Sequence, residues 1–517
     1  TTRAVETWAE SWRLGRRAAC HAEPAIRAAR IGCLDRQLGL LAAQLTQWQT
    51  ADGEAADRAV AAAAALPPAA ACAVAVTAPP PPAALAPLVA RIADLTARQR
   101  AGHVAEAQRL LAPLLADAER AADPTVLAEA RAAAAELEGR AGEATHARAL
   151  ALLAARSAAA IGDDRAMAVA LLGAVAASAD AGHATEGLAT LDAVEALVLR
   201  AHLDDLDQTV ALRRGEALTH AGDPAAAVAP LTQAVALAEA RAAREPARAG
   251  DLALALALLA DAKIASHDYA DARALLTRTL AIEEPLYGAA HPEVARTLHD
   301  LAVTEYRLDD VAASRGHLDR ALAILTETYG PTHALIGRLH ISRGTLALTH
   351  DDPQGAIAEY NTALDVLRAV LPADHPDLAS AEMGVAGSLR DANRCADAIP
   401  HAERGVAILV GVHKVGPDLA QAELTLGMCL AELKRNREAT VTLHHVLEEF
   451  ERAGMGGRDI AEPLAGLAEL ADADGHHAEA LALIDRAIAA VGDHPAEPYA
   501  TLLAYLTDER ARWRRGR

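Results

Sequence analysis

From His291 to Gly457 the apolar positions fall into a repeating pattern. Each block carries two apolar helical faces joined by a short polar turn. The 3–4 spacing of apolar residues predicts helices, and the paired faces predict antiparallel helix hairpins. One small residue recurs in each first helix: Ala302, Gly344, Ala386, Gly427. A second follows twelve positions later in each second helix: Ser314, Ala356, Ala398, Ala439. A side chain larger than Ala at a close helix crossing would force the helices apart, so this periodicity reads as paired-helix packing.

The register extends in both directions. Forward it meets Ala468 and Ala480. Backward it meets Ala260/Ala272, Gly215/Ala227, Val175/Gly187, Ala135/Ala147 and Leu95/Ala107, in steps of 40 to 45 residues. The turns recur in phase at Gly102, Gly142, Gly182, Gly222, His267, Asp309, Asp351, Asn393, Lys434 and Gly475. Gly, Asp and Asn there permit unusual backbone angles. The expectation is ten helix pairs between about Ala86 and Val491. Leu95 and Val175 depart from the small-residue rule.

These residues resemble the tetratricopeptide repeat. A third small site, seven positions after the second, reads Ala321, Ala363, Gly405 and Ala487, with Val446 a departure. The helix starts His291-Pro292, His375-Pro376 and Gly416-Pro417 are similar to the longer-period subclass of kinesin light chains. The resemblance implies an all-α, right-handed superhelical solenoid whose first helices line a concave face. It does not name a partner, since this fold serves many.

Residues 1–77 do not follow the repeat. Trp8, Trp12 and Leu14 to Arg17 predict a helix ending near Cys20. Ile31, Leu34, Leu38, Leu41, Leu45 and Trp48 form a heptad seam on a second helix, about Ala25 to Thr50. A third helix is expected from Glu54 to Leu66, ending at Pro67-Pro68. A Pro-rich linker, 78–87, precedes the array at 88–495, and 496–517 reads as a capping helix with Leu502, Leu503 and Leu506 inward. The motifs TWAESWRLGRRAACHAE, RIGCLDRQLGLLAAQL and AVAAAAALPPAAACA resemble the region behind the kinase domain of certain bacterial, notably myxobacterial, serine/threonine protein kinases. That resemblance implies a sensory or scaffolding tail, separated from its kinase by a membrane span and facing away from the cytoplasm. The alternative is a cytoplasmic regulatory or adaptor array, such as the helical-repeat part of a transcription regulator. The chain opens on Thr, not Met, so a longer parent is expected.

Composition narrows the chemistry. The net charge of −21 disfavours nucleic acid, which demands a basic face. The basic end Arg510 to Arg517 reads as a solvated helix terminus. No apolar run is long enough to span a membrane. The single Phe, Phe450, is not part of an Asp-Phe-Gly, and no His-Arg-Asp or Gly-rich phosphate loop occurs, so no kinase is expected in these residues. No cofactor is expected. His444-His445 and His476-His477 lack a ligand motif, and His291, His333 and His375 read as helix starts.

Two expectations concern specific side chains. A protein or peptide ligand on the concave face would meet Arg296, His299, Tyr306, Arg338, Arg390 and Gln421, with Arg296 and Arg338 one repeat apart. The bland alternative is that these arginines pair with neighbouring carboxylates. Among the cysteines, one reading is buried thiols. The other is a staple between Cys20 and Cys33 in an oxidising compartment, leaving Cys72 for an upstream partner. Cys395 and Cys429 read as core.

Overall fold

The computed structural model describes residues 2–49, 59–64, 66–67, 72, 81–245, 248–411, 417–492 and 499–515. The expected start of a helix at Glu54, the residue Gly416 and the boundaries at 77/78 and 495/496 lie outside them. The chain divides into two compact units, Thr1–His317 and Leu318–Arg517. Among the described residues the structure is all-α, without strands.

In the first unit α1 (Thr2–Cys20), α2 (Pro24–Gln49) and the short α3 (Ala59–Ala64) precede the stack. Five pairs follow: α4/α5 (Ala86–Ala101, Val104–Ala121), α6/α7 (Pro124–Arg140, Ala144–Ala160), α8/α9 (Asp164–Asp180, Ala184–Ala201), α10/α11 (Asp207–His220, Pro224–Arg244) and α12/α13 (Ala249–Ala265, Tyr269–Tyr287). The sixth, α14/α15 (Pro292–Arg307, Val311–Tyr329), contains the unit boundary within α15. The second unit continues with α16/α17 (Ala334–Thr349, Pro353–Val370), α18/α19 (Pro376–Asp391, Cys395–Gly411), α20/α21 (Pro417–Glu432, Asn436–Arg452) and α22/α23 (Arg458–Ala473, His477–Val491). It closes with α24 (Tyr499–Arg515), whose Leu506 is fully buried, with Leu502 and Leu503 packed on the same core.

The periodic positions act as expected. All ten predicted turn residues adopt positive φ, from 56° at Asn393 to 98° at Gly102. The small sites are closed. Ala107, Ala227, Ala260, Ala272, Ala356, Ala386, Ala398 and Ala439 are at most 1% exposed. Where the first-helix site is Gly, a large side chain sixteen positions on fills the space. A Cβ on Gly215 would lie 2.2 Å from Leu231 Cγ, one on Gly344 2.9 Å from the Tyr360 ring, and one on Gly427 2.8 Å from Leu443 Cδ2. Val175, one of the two departures, faces Gly187, which restores the room. His291, His333 and His375 are N-caps: each Nδ1 accepts from the amide two residues on, at 3.1, 3.3 and 3.1 Å.

The cysteines correct the expected staple. Cys33 is bonded to Cys72, with their Cα atoms 5.7 Å apart, and Cys20 is exposed and free. Ala19, one residue earlier, is the α1 position that packs on Leu34 and Cys72. One step along a helix turns the side chain by about 100°, so Cys20 points away. Cys395 and Cys429 are core, as expected, but also bonded to each other, tying α19 to α20.

Gly→Ala in a helix interior ordinarily gains about 1 kcal/mol. Gly387, with open space around its Cβ position, should follow that rule. Gly215→Ala should instead lose about 1–2 kcal/mol net, because the immobile Leu231 must be displaced. Denaturant midpoints of the two variants, moving in opposite directions, check this.

Candidate interaction surface

In the first unit the first helices of neighbouring pairs touch from α4 through α12, and in the second from α16 through α22, whereas the second helices scarcely meet. Helices on the inner side of a curved stack must approach more closely, so the first helices form the inner face of each unit. In the first unit that face borders a cavity of about 880 Å³. Its floor is mostly small: Ala132 and Ala133 on α6, and Ala170, Gly173, Ala176 and Ala177 on α8. α2 supplies the opposite wall through Cys33, Arg36, Gln37 and Leu40. Volume and apolar lining are those of a ligand-sized site.

The cavity's arginines are paired. Arg36 Nε lies 2.8 Å from Glu129 Oε1. Arg100 and Arg140 both reach Glu136, at 3.2 and 3.3 Å. Burial pushes the Glu129 carboxyl up, and the charge of Arg36 only partly opposes it. Burial works on Glu136 too, but its two arginines outweigh it and hold that carboxyl below its ordinary value.

The six residues singled out from the sequence are divided between the units. In the first, Arg296 donates to Glu293 at 3.1 Å, His299 lies 3.9 Å from Asp300, and the Arg307 guanidinium stands 5.6 Å from the Tyr306 ring centre. In the second, Arg338 Nε donates to Asp377 at 2.6 Å, Arg390 meets Asp391 at 3.4 Å, and Gln421 is exposed. Both ladder arginines therefore hold carboxylates already.

Arg296 also sits among acids that periodicity does not reveal. Burial pushes Asp261 up to about 6, against the pull of Arg296. Burial, reinforced by the charge of Asp261, brings Asp300 to about 7. Glu283 rises to about 7 through burial, although Thr297 donates to it at 2.6 Å and Arg296 lies near. In the second unit the outcome is reversed. Glu382, 3% exposed, accepts from His401, Arg404 and Arg368 at 2.6, 2.9 and 2.6 Å. Burial opposes its charge, yet these donors hold its pKa at about 2. Glu–His pairs recur at His340–Glu359 and His445–Glu423, at 2.6 and 2.5 Å. Among the described residues no group of three or more His, Cys, Asp or Glu is arranged to hold a metal ion.

With this geometry in place, the sequence matches the tetratricopeptide repeat family over residues 251–327 and 301–369. No curated protein matches the chain. Among solved structures, apo RapI is 8% identical, covering 71% of this chain and 98% of its own, with a TM-score of 0.49. A putative kinesin light chain from Podosopora anserina with nearly identical TPR-like repeats is 19% identical, covering 41% and 99%, with a TM-score of 0.34. YrrB, described as a TPR protein with an unusual peptide-binding site, is 18% identical, covering 45% and 97%, with a TM-score of 0.30. The chain thus carries tetratricopeptide-type repeats, a scaffold class whose work is contact with other proteins. No described helix is long and apolar enough to cross a membrane.

Two pH effects of opposite sign follow. An acid whose pKa is raised on folding stabilises below its unfolded value, and that contribution is lost as pH rises through the folded one. Asp300 should therefore disfavour folding as pH climbs from about 4 to about 7. Asp300→Asn should raise the denaturant midpoint at pH 8 and leave it unchanged at pH 3. Glu382, with its pKa lowered, stabilises above about pH 4.5 and loses that contribution as pH falls towards 2. Glu382→Gln should cost on the order of 3 kcal/mol at pH 7 and far less at pH 2.5, in urea titrations at the two pH values.

Proposed function

We propose that the chain is a non-catalytic interaction module that holds a polypeptide ligand on the inner faces formed by its first helices. The observation that carries this reading is the cavity beside α4, α6, α8 and α10. It is floored with Ala and Gly, so the helices present room where a closed core would present Leu. Arg296, His299, Tyr306, Arg338, Arg390 and Gln421 remain our candidates for ligand contacts along the rest of the repeats. A ligand carboxylate there would have to compete with Glu293 and Asp377 for the two arginines.

We further propose that the module is the sensory or scaffolding tail of a bacterial serine/threonine kinase, working outside the cytoplasm. The N-terminal motifs support the parentage. Two disulfides, one in each unit, support an oxidising compartment, because such bonds are rare where glutathione keeps thiols reduced.

The test is selection from a displayed peptide library on the immobilised full chain. Selected peptides should lose at least tenfold in affinity when Ala132→Trp or Ala176→Trp fills the inner face. They should keep it in Leu199→Ala, which alters an exposed residue on the second helix α9. Failure to select any peptide, or binding indifferent to the inner-face substitutions, defeats the reading.

A further inference from the structure

Within the first unit, α2 lies across the first helices as an additional helix. The face it turns to them carries Cys33, Arg36, Gln37, Leu40, Gln44 and Gln47. Arg36 reaches Glu129 on α6, and Gln47 Nε2 donates to Asp94 Oδ1 on α4 at 3.3 Å. A terminal cap need cover only the first pair, α4/α5, whereas α2 extends onto the second.

The chemistry of this contact is not that of a permanent core. Gln37, Gln44 and Gln47 are all buried. Gln44 on α2 and Gln99 on α4 are fully buried, and neither amide atom of either has a hydrogen-bond partner among the described residues. Each such amide costs about 1–3 kcal/mol in the docked state. Meanwhile Leu38 and Leu45, on the opposite side of α2, stay 41% and 40% exposed. Leu34 and Leu41 of α2 are buried, but against α1, Cys72 and Leu66, so the contact of α2 with the stack is left mainly to polar side chains. The space between α2 and the stack is a cleft open to solvent, with room for side chains larger than those that line it.

We propose that the inner face of α4, α6 and α8 is a helix-receiving surface, that α2 is its resident occupant, and that the external partner is an amphipathic helix bearing a Lys or Arg for Glu129 and apolar side chains larger than those of α2. This rests on the interaction reading above and adds its regulation. The requirement for a cation follows from Glu129: a partner that covers this half-buried carboxyl in place of α2 must replace Arg36, or it buries an unpaired charge. The requirement for bulk follows from the unfilled volume over Ala132, Gly173 and Ala176. The net charge of −21 draws a basic helix towards the chain. The Cys33–Cys72 bond stands at the cavity wall, so a displaced α2 stays tethered and competes as a local ligand.

The experiment uses the full chain with its disulfides intact. Hydrogen exchange in residues 33–49 should accelerate at least tenfold in Arg36→Glu, with α6 to α11 unchanged. Adding Glu129→Arg should restore slow exchange. Unchanged exchange in Arg36→Glu, or acceleration that spreads through α6 to α11, overturns the displaceable occupant. The second arm uses a fluorescent synthetic peptide of residues 24–49 with Cys33→Ser. It should bind Arg36→Glu at least tenfold more tightly than the parent chain. Equal binding to both overturns the competition. Loosening of α2 without peptide binding to either chain overturns the inner face as a polypeptide site, the reading on which the proposal rests.

Discussion

Two helices can approach closely only where one of them carries a small side chain or none at the crossing, and this single steric condition organises the molecule. It explains why sites separated by some forty residues obey one rule, and why the exceptions are compensated locally. Gly215 is matched by Leu231, Gly344 and Gly384 by Tyr360, and Val175 by Gly187. The volume at each crossing is kept although its owner changes. Because a stack has no central core, each pair is stabilised mainly by its neighbours, and a misfit at one crossing acts on adjacent pairs.

This is also why so much of the fold could be read before any coordinates. The crossing condition and the reversal between helices each demand particular residues at fixed intervals. A left-handed residue stands at every reversal within a pair, and even where Gly is replaced by His267, Asp309, Asp351, Asn393 or Lys434 the phase identified the position. The cysteine pairing was not legible in the same way. The choice between Cys20 and Cys72 as partner of Cys33 turns on one residue of helical rotation, which Ala19 settles by packing inward. The acids around Arg296 were hidden for a different reason. Their pKa values depend on burial contributed by neighbouring pairs, and Asp261, Glu283 and Asp300 lie on three different helices.

The two groups of carboxylates show how cation supply decides the effect of burial. Desolvation raises Asp300 and Glu283 because Arg296 is divided among several acids. It fails to raise Glu382, which has Arg368, Arg404 and His401 to itself. In a chain of net charge −21, cations are the scarce partner. An arginine at the inner face is therefore already engaged by a carboxylate of the chain before any ligand arrives, and this applies to both Arg296 and Arg338. Surface position and residue type alone would have marked them as ligand contacts.

The same scarcity bears on what the inner face can receive. In the first unit the cavity's half-buried acids, Glu129 and Glu136, are each satisfied by arginine, but their sources differ. Glu136 is served by Arg100 and Arg140, which belong to the stack itself. Glu129 is served by Arg36, which belongs to α2. Removing α2 would leave Glu136 paired and Glu129 without its arginine, so a segment that covers this face in place of α2 has to bring a cation. On α2, Arg36 meets that demand, whereas Gln44 is buried with neither amide atom partnered among the described residues. The face thus sets two conditions on a competing helix: a cation for Glu129, and no unpartnered amide where Gln44 stands.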